Sequence, residues 1–137
     1  MKILMTFIQL LKEQSVFKAR TNTYVMKIYH NPQCSKSRQT LELIKEQGIE
    51  PEIILYKSSP PSVEELKDVI AKTGLKPMDI IRKGEAIFKE KYKGQEHTDD
   101  EWIEIMVAHP SLIERPIVIK GNKAILGRPP QNVVELF

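Results

Sequence analysis

Hydrophobic and polar positions follow each other near the start of the chain in a way that predicts a strand, a helix and a second strand. Residues 26–31 are rich in β-prone side chains and end at a proline, which favours a short strand. Residues 35–47 carry apolar side chains one helical turn apart, and Gly48 provides a stop, which predicts a helix. Residues 52–57 predict the next strand. This order is typical of a βαβ unit, whose two strands pair in parallel.

The middle of the chain predicts a block of helices. The capping-box pattern, a serine or threonine followed three residues later by glutamate, opens two amphipathic stretches at Ser62 and Thr98. Residues 75–84 predict a short helix, whereas residues 85–94 are polar and give no decisive signal. We therefore expect two clear helices, with a short helix and an undefined segment between them.

The C-terminal part predicts a hairpin followed by a closing helix. Two runs of β-prone residues flank Gly121-Asn122, a pair typical of two-residue hairpin turns. Residues 127–137 predict a tight loop and a short helix. The order βαβ, helices, ββ and a final helix predicts an α/β fold with a small mixed β-sheet. It is compatible with a thioredoxin-like fold that carries a helical insertion.

The length and composition of the chain predict one globular domain with a modest positive charge. It has 137 residues, 41% hydrophobic and 28% charged, and a net charge of +3. Basic residues are spread along it, so we expect no nucleic-acid-binding tail, and no stretch is apolar enough to span a bilayer. Residues 1–25 combine a short apolar run with returning charges, which favours a short amphipathic helix over a signal peptide. We predict a poorly ordered extension at 1–25 and a domain at 26–137.

Cys34 is the single cysteine of the chain and stands between the first predicted strand and the first helix. One cysteine excludes an internal disulfide, a cysteine-rich zinc site and a Cys-x-x-Cys redox pair. This usage is typical of a reducing compartment, so we expect the cytoplasm. Redox chemistry at Cys34 would need a second thiol from another molecule. Because His97 and His109 are well separated, we predict no metal site.

The position of Cys34 at a helix start favours chemistry at its sulfur. Backbone N–H groups without internal partners and the positive end of the helix dipole both stabilise a thiolate. His30 and Ser37 lie close in sequence and add hydrogen-bonding capacity. The alternative is a small buried cysteine without chemistry, beside a histidine that satisfies a loop carbonyl.

Three arginines near the ends of predicted elements are candidate ligands for an anion: Arg82, Arg115 and Arg128. Arginine is the preferred donor for bidentate recognition of oxyanions. Spacing alone does not bring these three side chains together, and each taken singly is better explained as a surface charge.

Five motifs, in order, resemble the glutaredoxin-dependent arsenate reductase family in its thioredoxin-fold branch. They are IYHNPQCSKSRQTLELI, ILYKSSPPSVEELKDVI, IIRKGE, HPSLIERPIVI and LGRPP, within residues 27–137. Characterised members often have Gly and Thr after the cysteine, where this chain has Ser35 and Lys36. That departure leaves the physiological substrate open.

The resemblance implies a role for each candidate residue. Cys34 matches the cysteine that attacks arsenate and forms a thiol–arsenate adduct. His30 matches a histidine that helps to keep the cysteine ionised, and Ser37 matches a serine near the sulfur. Pro116 matches the cis-proline of thioredoxin-like folds. The arginines that bind the oxyanion in the family match Arg82, Arg115 and Arg128.

The resemblance also implies an enzyme, an arsenate reductase, with glutathione as co-substrate and glutaredoxin as partner. It implies no bound cofactor, no nucleic acid and no membrane, and we expect a monomer. Two other functions stay open. One is a general thiol-disulfide or deglutathionylating oxidoreductase, which needs the Cys34 thiolate but not the three arginines. The other is an Spx-like regulator that binds RNA polymerase, although Ser37 stands where many of these carry a second cysteine.

Overall fold

The structure is a computed structural model that describes residues 25–137. The strands are β1 (Met26–Tyr29), β2 (Glu52–Ile54), β3 (Ile117–Lys120) and β4 (Lys123–Leu126). The helices are α1 (Ser35–Glu46), α2 (Val63–Thr73), α3 (Pro77–Ile80), α4 (Ala86–Lys91) and α5 (Asp99–Ala108). Two 3-10 helices span Pro110–Leu112 and Pro130–Leu136. Apart from Val25, the predicted extension at 1–25 lies outside the described residues.

The four strands form one mixed sheet in the order β2-β1-β3-β4. β1 pairs in parallel with β2, as the βαβ pattern predicted, and β3 runs antiparallel to both β1 and β4. Helices α2 to α5 are inserted between β2 and β3. The predicted α/β class is therefore confirmed, and the fold is thioredoxin-like with a helical insertion. Within residues 25–137, no helix has the length and apolar character needed to cross a membrane.

The sheet separates two hydrophobic clusters because side chains along a strand alternate between its two faces. Ile28 and Val118 are fully buried on one face and pack with Ile44 of α1. Tyr29 and Ile117 face the other side and join the larger cluster formed with the inserted helices. As a result α1 lies on one face of the sheet, and the helical insertion covers the other.

In the helical block, the sequence predicted the starts of α2 and α5 correctly but gave no decisive signal for the segment 85–94. Ser62 and Thr98 both form complete capping boxes at the starts of α2 and α5. The undefined stretch 85–94 contains α4, because Phe88 is buried and stacks on Trp102 with ring centroids 6.1 Å apart. Burial of one aromatic ring thus stabilises a helix that the polar sequence did not indicate.

One strand is shorter than predicted. The predicted strand at 52–57 pairs only as far as Ile54, because the chain then turns and the N–H groups of Ser58 and Ser59 donate to the carbonyl of Leu55. The predicted short closing helix is present as a 3-10 helix over Pro130–Leu136. The predicted hairpin is confirmed, with Gly121 at φ 62°, the positive value that the first central position of a type II′ turn requires.

A proline precedes β3, and another follows β4. Both lie at the end of the sheet nearest the start of α1. The Arg115–Pro116 peptide is cis, as the family resemblance implied, and the Arg128–Pro129 peptide is cis as well. Between β4 and Arg128 the chain passes very close to α1 at Gly127. A Cβ added there would lie 2.7 Å from Thr40 Oγ1 and 2.8 Å from Pro116 Cγ. The absence of a side chain at Gly127 therefore lets Arg128 approach the start of α1.

We predict that Gly127→Ala lowers the free energy of unfolding by about 1–3 kcal/mol, the usual cost of overpacking a tight site. Gly84→Ala is the matched control, because no atom lies within 4 Å of its added Cβ. We expect the control to change stability by less than about 0.5 kcal/mol. Urea denaturation measures both. Equal stability of the two variants would show that the segment at Gly127 can move away without cost.

Candidate active site

Cys34 is the N-cap residue of α1, so the structure places the thiol at the helix start that the sequence predicted. Its backbone is extended (φ −96°, ψ 123°), and its carbonyl accepts the first helical hydrogen bond, from the N–H of Arg38, at 3.0 Å. The first turn of α1 contains no acidic residue. The positive end of the helix dipole therefore acts on the sulfur without a competing carboxylate in that turn.

The surroundings of Cys34 favour its ionised form. Partial burial is the largest single influence and opposes ionisation, but it is outweighed by the N–H groups of Ser37 and Lys36 and by the Arg115 guanidinium. The neutral sulfur makes no short capping hydrogen bond, yet these donors face it closely enough to lower its pKa below the ordinary value. The Cys34 side chain is half-buried, so a small reactant can reach it.

Two of the three predicted arginines lie beside the thiol. The Arg128 Nη1 atom lies 3.9 Å from Cys34 Sγ and donates to the backbone carbonyl of Arg115 at 3.1 Å. The Arg115 guanidinium acts on the sulfur as a hydrogen-bond donor and as a charge. The Nε atom of Arg115 is buried and has no hydrogen-bond partner within residues 25–137. The site therefore holds at least one donor that no other described residue satisfies.

Arg82 joins this group through a carboxylate rather than through the thiol. Its Nη1 donates to Glu114 Oε1 at 2.7 Å, and its Nε donates to Glu85 Oε2 at 3.3 Å. Glu114 Oε1 also accepts the backbone N–H of Arg115 at 3.1 Å and lies 3.8 Å from Arg128 Nε. One carboxylate oxygen thus links all three arginine positions that the sequence singled out. We call Arg82, Arg115, Arg128 and Glu114 the arginine cluster.

Sequence reasoning missed Glu114. An acidic residue directly before Arg115-Pro116 looks like an ordinary surface charge, since nothing in its spacing points to Arg82 or Arg128. The folded chain buries most of its side chain, which is 20% exposed. The signal that could have found it is chemical: arginines that converge on a site need a nearby carboxylate to offset their repulsion.

His30 and Ser37 form a buried pair beside the loop that precedes Cys34. His30 Nδ1 lies 2.6 Å from Ser37 Oγ, which also accepts the backbone N–H of Asn31 at 3.0 Å. Burial, followed by the positive charges of Arg38 and Lys45, lowers the pKa of His30. A neutral ring with an unprotonated Nδ1 accepts a hydrogen bond from the Ser37 hydroxyl. The geometry thus favours hydrogen bonding, which holds the loop before Cys34, over a positive charge on His30.

The arrangement brings a nucleophile, helix-start N–H groups and guanidinium groups to one point on the surface. This combination suits attack on an electrophilic centre that carries negative oxygens. A cavity of about 890 Å³ lies elsewhere, between β1, β2 and α2, and Cys34 does not line it. Within residues 25–137, no group of three or more His, Cys, Asp or Glu side chains is arranged to hold a metal ion.

Comparison with known proteins identifies the family. The model of the ArsC family matches residues 29–136. The chain belongs to the ArsC family. This result confirms the resemblance drawn from the five motifs, and the matched range includes every candidate residue from His30 to Arg128.

Relatives of similar size support the assignment. The chain is 43% identical over 116 residues to the uncharacterized protein YfgD of Escherichia coli K12, covering 83% of this chain and 98% of that protein. It is 43% identical over 111 residues to an arsenate reductase of Escherichia coli, covering 80% of this chain and 79% of that protein. The structure of an arsenate reductase from Vibrio cholerae superposes with a TM-score of 0.80 at 45% identity, over 85% of this chain and 100% of that one.

We predict that Cys34 is alkylated with a midpoint pH below about 8.5, the pKa of an unperturbed cysteine thiol. The reason is that the local donors stabilise the thiolate more than partial burial opposes it. The rate of iodoacetamide alkylation as a function of pH measures the midpoint. Arg115→Ala should raise it, because this change removes a donor and a charge. Arg38→Ala is the control, since Arg38 donates to the Pro32 carbonyl instead. A wild-type midpoint at or above about 8.5, the pKa of an unperturbed thiol, would contradict the prediction.

We predict that Glu114→Ala lowers the free energy of unfolding by about 2 kcal/mol, because it leaves partly buried donors of Arg82 and Arg115 without their acceptor. Glu85→Ala is the control, since Glu85 makes only the longer contact with Arg82 and should cost under about 1 kcal/mol. Urea denaturation of both variants provides the comparison. A smaller loss for Glu114→Ala than for Glu85→Ala would show that Glu114 does not hold the cluster together.

Proposed function

We propose that this protein is an arsenate reductase in which the Cys34 thiolate attacks arsenate, with glutathione and a glutaredoxin supplying the electrons. The observation that carries the proposal is the contact between the helix-start thiol and the cluster, with Arg128 Nη1 3.9 Å from Cys34 Sγ. The arsenate reductases among the relatives support arsenate as the substrate.

Substrate binding in this proposal uses the donors around Cys34. Arg115 and Arg128 bind the oxygens of the anion, and the N–H groups at the start of α1 face the same space. Arg82 already donates to two carboxylates, so it contributes mainly charge and holds Glu114 in place. Preorganised donors of this kind stabilise the negative charge that develops on oxygen as the sulfur attacks.

The chemistry requires thiols from outside the chain. The Cys34 sulfur forms a bond to arsenic(V), and an oxygen of arsenate leaves as water after protonation. Glutathione then replaces a second oxygen on arsenic, which leaves as water. A further external thiol attacks the sulfur of that glutathione, so a disulfide forms, the bond between glutathione sulfur and arsenic breaks, and its electron pair reduces arsenic(V) to arsenic(III). Water finally cleaves the bond between Cys34 and arsenic, which releases arsenite and returns a proton to the Cys34 sulfur. Over the cycle, arsenate and two glutathione molecules become arsenite, glutathione disulfide and water, and Cys34 returns to its thiol form. Because Cys34 is the single cysteine, glutathione and glutaredoxin provide the remaining thiols.

The two alternatives make different demands on the same residues. A deglutathionylating enzyme needs the Cys34 thiolate, but the arginine cluster would have no oxyanion to bind. A regulator with a disulfide switch needs a second thiol, whereas the Ser37 hydroxyl is buried and hydrogen-bonded to the Asn31 backbone N–H. The cluster therefore favours the reductase over both alternatives.

We predict that arsenate turnover with glutathione and glutaredoxin is abolished in Cys34→Ser and falls by about 100-fold in Arg128→Ala, in line with the loss of one oxyanion donor. Arg38→Ala, which removes a charge from α1 but no contact with the thiol, should keep wild-type turnover. Steady-state release of arsenite measures all three variants.

The same variants separate the alternatives. Cleavage of a glutathione mixed disulfide that survives Arg128→Ala, without arsenate turnover in the wild type, would replace the reductase by a deglutathionylating enzyme. Recovery of RNA polymerase in a pull-down, again without turnover, would favour the Spx-like regulator.

A further inference from the structure

Asn132 binds the segment of the chain that carries Arg128. Its side-chain Nδ2 atom donates to the backbone carbonyl of Leu126 at 3.2 Å and to that of Arg128 at 3.3 Å. A side-chain amide has two N–H groups, and these two contacts use both of them. The backbone N–H of Asn132 donates to the carbonyl of Pro129 at 3.0 Å. One residue of the closing 3-10 helix therefore binds three carbonyls within residues 126–129.

These hydrogen bonds stabilise a short connection between two elements. Residues 127–129 join β4 to the closing 3-10 helix. At the start of this connection, the N–H of Gly127 donates to the carbonyl of Pro116 at 2.9 Å, which holds it to the segment before β3. From the other direction, the amide of Asn132 holds it to the closing helix. The backbone of Arg128 therefore lies between two sets of contacts that fix its position.

The position of the Arg128 backbone matters because the side chain of this residue reaches the thiol. Its Nη1 atom lies 3.9 Å from Cys34 Sγ and donates to the carbonyl of Arg115 at 3.1 Å. Since Asn132 binds the backbone end, Arg128 is held at both ends. A donor that is already held in place loses less conformational entropy when an anion binds. Misplacing a positioning group by about 1 Å can cost about 100-fold in rate.

We propose that Asn132 is a positioning residue for substrate binding, whose amide holds the backbone of Arg128 so that the guanidinium faces Cys34 and the oxyanion bound there. The ligand class is a tetrahedral oxyanion, and this inference rests on the proposed function. Asn132 acts through Arg128 and needs no contact with the anion. The motif LGRPP ends at Pro130, so the motifs that resemble the family did not indicate Asn132.

The test is a double-mutant cycle of Asn132→Ala and Arg128→Ala, in which arsenate without glutathione protects Cys34 from iodoacetamide. We expect the arsenate concentration for half-protection to rise about fivefold in Asn132→Ala, the usual scale for losing a neutral hydrogen bond. In the Arg128→Ala background, Asn132→Ala should cause no further rise, because residues that act through one another are not additive. Gln131→Ala is the control, since it removes an exposed amide from the same 3-10 helix and should match the wild type.

The same cycle separates positioning from a purely structural role. The thermal midpoint without arsenate should fall by the same amount when Asn132→Ala is made with or without the Arg128 side chain, because the lost hydrogen bonds go to backbone carbonyls that Arg128→Ala retains. Asn132→Leu keeps a similar volume but removes the donors, so it serves as a second variant and should show the same rise in half-protection. A rise of equal size in both backgrounds would overturn the proposal.

The protection assay also separates this inference from the proposed function. Protection that weakens in Asn132→Ala only when the Arg128 side chain is present, without arsenate turnover in the wild type, would retain the positioning role and reject the reductase. Equal protection in Asn132→Ala and the wild type, with normal turnover, would reject the role of Asn132 and retain the reductase. Failure of arsenate to protect the wild type would overturn both.

Discussion

The carboxylate of Glu114 is the contact on which the arrangement around Cys34 depends. Three guanidinium groups close together repel one another, and two unit charges about 4 Å apart near a protein surface interact by about 4 kcal/mol. Glu114 offsets this repulsion for two of them, because one of its oxygens lies 2.7 Å from Arg82 Nη1 and 3.8 Å from Arg128 Nε. The same oxygen accepts the backbone N–H of Arg115 at 3.1 Å. The arginine cluster is therefore an ion network with a negative centre rather than a free positive patch.

The three arginines have different contacts within this network. Arg82 gives its hydrogen bonds to Glu114 and Glu85, so its role is to anchor the carboxylate. Arg128 and Arg115 keep donors on the side of Cys34. A carboxylate so close to the site also repels an incoming anion, which makes neutral donors valuable. The N–H groups at the start of α1 add hydrogen bonds without adding charge.

The fold explains why these residues meet although they lie far apart in the chain. β1 ends just before the loop to α1, β3 pairs antiparallel with β1, and β4 pairs antiparallel with β3. The segment before β3 and the segment after β4 therefore lie at the same end of the sheet as Cys34. The contact of Gly127 with Thr40 and Pro116 sets the spacing between these segments. The 3.9 Å contact between Arg128 and Cys34 thus depends on a glycine, whose lack of a side chain permits the close approach.

Local patterns in the sequence were enough for the elements whose causes are local. The capping boxes at Ser62 and Thr98, the Gly121-Asn122 turn and the helix start at Cys34 were all predicted correctly, because each depends on a few adjacent residues. The motifs also predicted the family. They named Cys34 and three arginines as candidates, and the structure brings these into one network, although the roles of the individual residues stay predictions.

The sequence by itself determined that this protein has one thiol at a helix start, in a small α/β fold, with any second thiol supplied from outside. Only the tertiary structure decided which groups face that thiol. Helix α4 depends on the burial of Phe88 against Trp102, and the position of Glu114 depends on the convergence of Arg82 and Arg128. Burial and long-range electrostatic contacts are properties of packing, and periodicity within a segment carries no information about which distant segment it will meet.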